Sequence, residues 1–378
     1  MFHSMGRWRK MQQSRIFSQR VVLPDAVVAA EIVVKAGRIA DVIPCATPSD
    51  GTADWGDDLL IPGLVDIHTD NLEKHYEPRP GATWDNIGAV MAHDGQCATA
   101  GITTVFDSLS FHSSDWAGDR GAFAPILIKA IEDADAAGLL RVEHLLHLRC
   151  EVTNPRLLAQ ITPHLASPRV KMISLMDHRP GQRQLHQMKV LVVDGVEFPA
   201  PEHDEALCIS NRAAVAAIAR ERGVALAAHD DETPAHIDEA LAHGCTIAEF
   251  PVTEVAALLS RDGAMHIAMG APNFVRGRSS SGNLSAQDAA DLGLLDILAS
   301  DYIPLSMLRS AFMLAEAPFG WPLPRAIATV TANPAQSAGL DDRGRIMPGL
   351  RADLVRVAWA AGGWPRPIEV WARGERVA

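Results

Sequence analysis

Two textures alternate along the chain. From residue 16 to residue 60, short apolar runs (Val21-Val22-Leu23, Ala26 to Val34, Arg38 to Ile43) are cut by Pro24, Gly37, Pro44 and Pro48, a pattern of small strands and hairpins with no helical period. A similar stretch closes the chain, in Arg345 to Val355 and Ile368-Glu369-Val370-Trp371. Isolated hairpins are only marginally stable, so the two ends are expected to pair into one small β-sandwich domain. Between them, stretches rich in Ala and Leu end at a glycine and give way at once to an apolar run. Gly101 precedes Ile102 to Asp107, Gly138 precedes Val142 to Glu151, and Gly223 precedes Val224 to His229. Gly244, Gly263 and Gly293 stand in the same way before Ile247 to Phe250, His266 to Met269 and Asp296 to Asp301. A glycine just past a helix tolerates the left-handed backbone that closes it.

With Leu64 to Asp70 and Val170 to His178 added, eight candidate strands are separated by helical segments. The expected fold class is α/β: a (β/α)8 TIM-type barrel over residues 61–341, a small β-sandwich domain from 16–60 plus 342–378, and a disordered or extended start over 1–15. An open doubly wound sheet is the alternative, although no Gly-x-Gly-x-x-Gly follows the first strand.

Composition adds bounds. With 378 residues, 48% hydrophobic and 21% charged, the chain can bury a large core. Its net charge of −12 argues against a general nucleic-acid binder while leaving room for a local basic pocket. Cys45, Cys97, Cys150, Cys208 and Cys245 form no Cys-x-x-Cys pair, and an odd, scattered set suits a reducing compartment, hence a cytoplasmic protein. No run of about 18 apolar residues is present, so no membrane span is expected. Residues 1–20 carry Arg7, Arg9, Lys10, Arg15 and Arg20 with no acid. They resemble a transit peptide superficially, and an alternative translation start, with order beginning near Ile16, is the simpler reading.

The chemistry collects at the expected strand ends. Strand one is Ile61-Pro62-Gly63-Leu64-Val65-Asp66-Ile67-His68-Thr69-Asp70, and strict alternation puts His68 and Asp70 on one face with Ile67 and Thr69 on the other. Strand two ends at Asp107. On strand three His147, Arg149 and Glu151 share one face, and Leu146, Leu148 and Cys150 the other. Strand four ends Met176-Asp177-His178, strand five His229-Asp230-Asp231, strand six at Glu249, strand seven leads to Asn273, and strand eight ends Ser300-Asp301-Tyr302. Imidazoles and carboxylates converging at strand ends suit one or two divalent transition ions, the equipment of metal-assisted hydrolysis. A lone histidine is more often structural; a set at one end of successive strands is harder to explain that way.

Several motifs carry a resemblance. The Pro-Gly-Leu-x-Asp-x-His opening, Ala228-His229, Ser300-Asp301, Thr331-x-Asn-Pro-Ala335 and Gly349-x-x-Ala-Asp-Leu-Val355 resemble the amidohydrolase superfamily. More narrowly, His68-Thr-Asp-Asn-Leu-Glu-Lys74, Glu143-His-Leu-Leu-His-Leu-Arg-Cys-Glu151, Pro180-Gly-Gln-Arg-Gln184, Gly270-Ala-Pro-Asn273-x-Val-Arg276-Gly277 and Ser281-Gly-Asn283 resemble its PhnM-type branch, the α-D-ribose 1-methylphosphonate 5-triphosphate diphosphatases of the carbon–phosphorus lyase pathway.

That resemblance implies hydrolysis of a ribosyl triphosphate to the 5-phosphate and pyrophosphate. It also implies a centre of one or two divalent ions, zinc first, with manganese and iron as alternatives. His68 and Asp70 would bind one ion, His178 and His229 a second or a shared one, and Asp301 would hold the nucleophilic water and take its proton. The first strand carries His-x-Asp where His-x-His is common, and Lys171 lies at the wrong end of strand four to bridge, so Glu151 becomes the candidate bridge. A substrate with several negative charges calls for cations and amides. Arg179 and Arg183 after strand four, Asn273, Arg276, Arg278 and Asn283 after strand seven, and Lys74 and Arg149 are the candidates. Expected partners are this small molecule, no nucleic acid and no membrane, with homo-oligomerisation left open. Hydrolysis of a C–N bond is the competing enzymatic reading, and a scaffold role within a lyase assembly is the non-enzymatic one.

Overall fold

The computed structural model describes residues 13–112, 120–185, 190–193, 196–199, 204–279 and 282–378. The expectation for residues 1–15 therefore lies, over 1–12, outside the described residues; the first strand starts at Gln13. Among the described residues, eight parallel strands follow one another in sequence order. They are β1 (Leu64–Thr69), β2 (Ile102–Phe111), β3 (Glu143–Glu151), β4 (Val170–Met176), β5 (Ala225–His229), β6 (Ile247–Glu249), β7 (His266–Gly270) and β8 (Ile297–Ala299). The expected eight-strand pattern is the observed one. β8 returns to β1 through a parallel bridge between Thr69 and Asp301. There the Asp301 N–H donates to the His68 carbonyl at 3.0 Å and the Asp70 N–H to the Asp301 carbonyl at 2.6 Å, so the closing seam runs through the residues expected to do chemistry.

The lumen is filled by Val65 and Ile67, Phe106, Leu145, Met172, Ala227, Ile247, Ala268 and Ile297, with Ala335, Ala338 and Leu340 from and after the helix Ala332–Ser337 in the same cluster. Helices such as Asn86–Thr99, Arg120–Ala136 and Glu205–Arg222 cover the outside. On β3 alternation holds: Leu145 is in the lumen cluster, while Leu146, Leu148 and Cys150 pack outward with Leu127, Ile131 and Leu157.

On β1 alternation fails, and the failure creates the site. The register takes three steps from Asp66 to Thr69 against two from Val105 to Asp107 on β2. The extra residue is a bulge, which re-aims a side chain. Ile67 stays in the lumen cluster, and His68 also turns inward to line the cavity above it; Ile67 and His68 are not on opposite faces. The Thr69 N–H, freed from the ladder, donates to Ser108 Oγ at 3.0 Å. Asp70 lies beyond the strand, heading the short helix Asn71–Tyr76.

Asp107 corrects a second expectation. β2 continues to Phe111, and Asp107 sits mid-strand on the outer face, with no exposure. It accepts from His144 Nδ1 at 2.8 Å and lies 3.1 Å from His93 Nε2. Alternation places it there because Phe106 takes the lumen position.

The chain ends form a sheet in the order Glu375–Arg376, Arg366–Ala372, Leu354–Ala358, Leu59–Pro62, Gln13–Val22, Val27–Lys35, Arg38–Pro44. Leu354–Ala358 pairs antiparallel with Leu59–Pro62, joining the two termini beside the entry to β1. Gly63 marks that entry: its N–H donates to the Asp353 carbonyl at 2.8 Å, and a Cβ there would run into the Thr103 side chain.

Candidate metal centre

Glu249 organises the site from the end of β6. It is 1% exposed, and it accepts from His68 Nδ1 at 2.7 Å on one oxygen and from His229 Nδ1 at 2.6 Å on the other. One carboxylate thus fixes imidazoles from β1 and β5, whose rings stack at 5.8 Å between centroids and 11° between planes. Burial alone would raise the Glu249 pKa, but His68 and His147 beside it and the two ring N–H bonds hold it well below the usual carboxylate range. With both Nδ1 atoms committed, both Nε2 atoms face the cavity, that of His229 lying 3.4 Å from Arg149 Nη2. Glu151, at the end of β3, repeats the device: it accepts from His178 Nδ1 at 2.8 Å and from the His178 backbone N–H at 3.2 Å, with His112 Nδ1 at 3.5 Å.

Two ligand groups result. In one, His68, Asp70 and Asp301 bring a nitrogen and two carboxylate oxygens within 4.8 Å of one another; in the other, His178, His229 and Asp230 bring two nitrogens and one carboxylate oxygen equally close. Asp230 Oδ2 is 3.2 Å from His229 Nε2 and 3.7 Å from His178 Nε2. It is buried without a hydrogen-bond partner among the described residues. Asp230 and Asp301 hold left-handed backbone at φ 59° and 55°, a conformation that costs a non-glycine residue about 1–2 kcal/mol. Asp230 is held there by its N–H bond to the Glu249 carbonyl at 2.9 Å, Asp301 by the barrel seam.

The electrostatics favour a cation. Burial would lower the pKa of His178, but Asp230 and Glu151 raise it to about 9; His68 is likewise raised, Glu249 overcoming burial. Burial, reinforced by the like charge of Asp70, raises Asp301. Arg149 already stands in the cavity wall, donating from Nη1 to Asp70 at 2.7 Å. Imidazole nitrogens oriented by second carboxylates, facing carboxylate oxygens one of which lacks a donor, are a donor set that fits a divalent transition ion.

The cavity measures about 360 Å³, within the usual range for small-molecule sites. His68, Asp70, His178, His229 and Asp301 line it together with Arg149, Asn273 and Asn283. Lys74 lies in an adjoining cavity that shares Asp70 and Asp301, its Nζ 4.4 Å from the Tyr302 ring centroid. Arg276 and Arg278 are exposed beyond the described wall, and Ser280 and Ser281 of the same loop lie outside the described residues. Arg179 and Arg183 are tied to carboxylates: Arg179 to Asp177 at 2.6 Å and to Glu205 at 2.5 Å, Arg183 to Asp231 at 3.0 Å and to Asp177 and Glu239 at 3.4 Å. Sequence reasoning left Glu249, Asp230 and His112 out of the site. For Glu249 and Asp230 the signal was present, an acid at a strand end; His112 follows a strand four residues longer than expected.

Comparison with known proteins agrees with this geometry. Residues 59–377 match the family model described as "Amidohydrolase family". The chain belongs to the amidohydrolase family. This amidohydrolase is 40% identical over 376 residues, 95% of its length and 98% of the relative's, to the α-D-ribose 1-methylphosphonate 5-triphosphate diphosphatase of Escherichia coli (strain K12). Among solved structures it resembles N-acetyl-D-glucosamine-6-phosphate deacetylase from Mycobacterium smegmatis (TM-score 0.63, 18% identity, covering 97% of this chain and 100% of that one). It also resembles N-isopropylammelide isopropylaminohydrolase from Burkholderia multivorans ATCC 17616 (TM-score 0.62, 17% identity, 96% and 98%). At such identities these two speak for the fold alone. Family and relative together make the protein a metal-dependent hydrolase.

Proposed function

We propose that this amidohydrolase hydrolyses a phosphoanhydride, converting α-D-ribose 1-methylphosphonate 5-triphosphate to the 5-phosphate and pyrophosphate in phosphonate catabolism. The observation that carries the reading is the 40% identity over nearly the whole length of both chains to the E. coli diphosphatase.

His68, Asp70 and Asp301 would hold one ion, and His178 and His229, joined by Asp230, a second. Zinc is the first candidate for such mixed nitrogen and oxygen donors, with manganese and iron behind it. When bound, a divalent ion supplies positive charge against phosphate oxygens and makes water acidic enough to attack near neutral pH. Glu249 and Glu151 orient the rings, and we assign Glu151 to positioning His178 and His112 in preference to bridging. Asp301 is the proton acceptor: buried beside Asp70 and with a raised pKa, its carboxylate is more basic than an exposed one. Arg149 offers a fixed cation, and Asn273 and Asn283 offer amide donors, to the triphosphate. Lys74, Arg276 and Arg278 supply charge at the rim, while Arg179 and Arg183, engaged by carboxylates, brace the loop after β4. Five cysteines without a disulfide support a cytoplasmic setting.

The test is ³¹P NMR of metal-analysed protein with the ribosyl triphosphate, run beside a panel of N-acyl amino acids and cyclic amides. Pyrophosphate and a 5-monophosphate appearing in equal amounts are expected. An unchanged triphosphate alongside cleavage of an amide would overturn the proposal in favour of C–N hydrolysis.

A further inference from the structure

The larger cavity is elsewhere. A cleft of about 860 Å³ lies where the start of β3 meets the end sheet, at the end of the barrel opposite the metal centre. Seven arginines and four carboxylates line it, and three further carboxylates, Asp94, Asp353 and Glu369, back the arginines from outside the lining, so the cleft presents mainly guanidinium groups on its inner face.

The cations are held in place. Arg343, Arg351 and Arg373, from two separate segments of the C-terminal part, converge on the single carboxylate of Glu143, Arg373 at 2.7 Å. Arg141 is anchored by Asp94 behind the wall at 3.3 Å, Arg169 by Asp135, and Arg351 also by Asp353 at 2.9 Å. Arg38 donates to the Gly349 carbonyl at 2.8 Å, and Arg376 lies 3.6 Å from Glu369. A guanidinium has five donors, so one that spends one or two on a backing carboxylate still presents the rest in a fixed fork. Arg351 shows the surplus directly: it is 6% exposed, and its Nε has no hydrogen-bond acceptor among the described residues. A network serving structure alone would not leave a buried guanidinium donor idle.

We propose that this cleft is a binding site for a small anion carrying two or more linked phosphates, up to the size of a nucleoside triphosphate, separate from the metal centre. Arginine forks suit phosphate oxygens. Because they come from the 36–38 hairpin, the 342–351 segment and the 373–376 turn, a single phosphate would engage only part of the array. The site does not depend on the hydrolase reading, since it shares no residue with the catalytic cavity.

The test is isothermal titration of the metal-stripped, full-length protein with pyrophosphate, ATP and inorganic phosphate. The wild type should bind pyrophosphate and ATP more tightly than phosphate. Arg38→Glu/Arg376→Glu, two exposed positions, should weaken that binding by about tenfold or more, while the same charge reversal at Arg222, exposed and lining neither cavity, should leave it unchanged. Circular dichroism checks folding, and Arg373→Gln, expected to weaken binding in the same direction, serves if the double charge reversal unfolds. Absence of binding, equal affinity for phosphate, indifference to the cleft variants, or an equal loss in Arg222→Glu would each overturn the proposal.

Discussion

Glu249→Gln isolates the part of the site that positions ligands without being one of the two convergent groups. The carboxylate accepts one ring N–H on each oxygen, at 2.7 and 2.6 Å. Glutamine keeps the length but can accept only one; its amide N–H2 then faces the other ring's Nδ1–H, donor against donor. One hydrogen bond to a charged group is lost, about 1.5–3 kcal/mol, and a buried donor is left unpaired, roughly 1–3 kcal/mol more. The side chains are 2% and 1% exposed at His68 and Glu249, so water cannot restore the bond. The total expected loss of stability in the metal-stripped protein is about 3–5 kcal/mol. Relief by turning the ring over would take Nε2 out of the cavity, and relief by moving the ring proton to Nε2 would block that nitrogen, so by either route metal affinity should fall about 10–100-fold. Chelator competition measures the affinity and thermal unfolding of the stripped protein measures the stability. Glu249→Asp keeps the charge but is one methylene too short to span both rings, and should fall between. A glutamine variant that keeps wild-type metal affinity and melting temperature would refute the clamp.

Three further predictions follow from separate parts of the molecule. Asp301→Asn should lose turnover by about 10²–10⁴-fold, the range for removal of a general base, with little change in substrate binding by equilibrium dialysis; undiminished turnover would remove Asp301 from its role. Gly63→Ala should cost roughly 1–3 kcal/mol, because its Cβ meets the Thr103 side chain; an unchanged denaturant midpoint would contradict the close approach. Burial would lower the pKa of His144, but Asp107 and Asp94 raise it to about 9 from its ordinary 6.5. The stability it contributes is then complete below pH 6.5 and disappears as pH rises through about 9. The melting-temperature margin of wild type over His144→Gln should shrink across that interval, and a constant margin would show that the proton is not held there.

Local pattern determined a good deal. The alternation of apolar runs with glycine-closed helical stretches is a short-range signal; it marks six barrel strands within a few residues, and the apolar runs Leu64 to Asp70 and Val170 to His178 mark the other two. The rule that chemistry sits at strand ends brings His68, Asp70, His178, His229 and Asp301 to one cavity wall, and alternation on β3 separates Leu146, Leu148 and Cys150, which pack outward, from Arg149, which lines the cavity. What the tertiary structure decided is of longer range. The bulge that turns His68 inward depends on how β1 pairs with β2, which no periodicity along one strand encodes. Asp107, expected at the end of strand two, lies mid-strand and faces the helix layer because β2 runs on past it. The clamp between His68 and Glu249 joins residues 181 apart, and it exists only once the barrel has closed. The arginines after β4 look free in sequence, but folding brings Asp231 and Glu239 to Arg183 and Glu205 to Arg179. Residue type and period are properties of a segment; which charges neutralise one another is a property of the closed barrel.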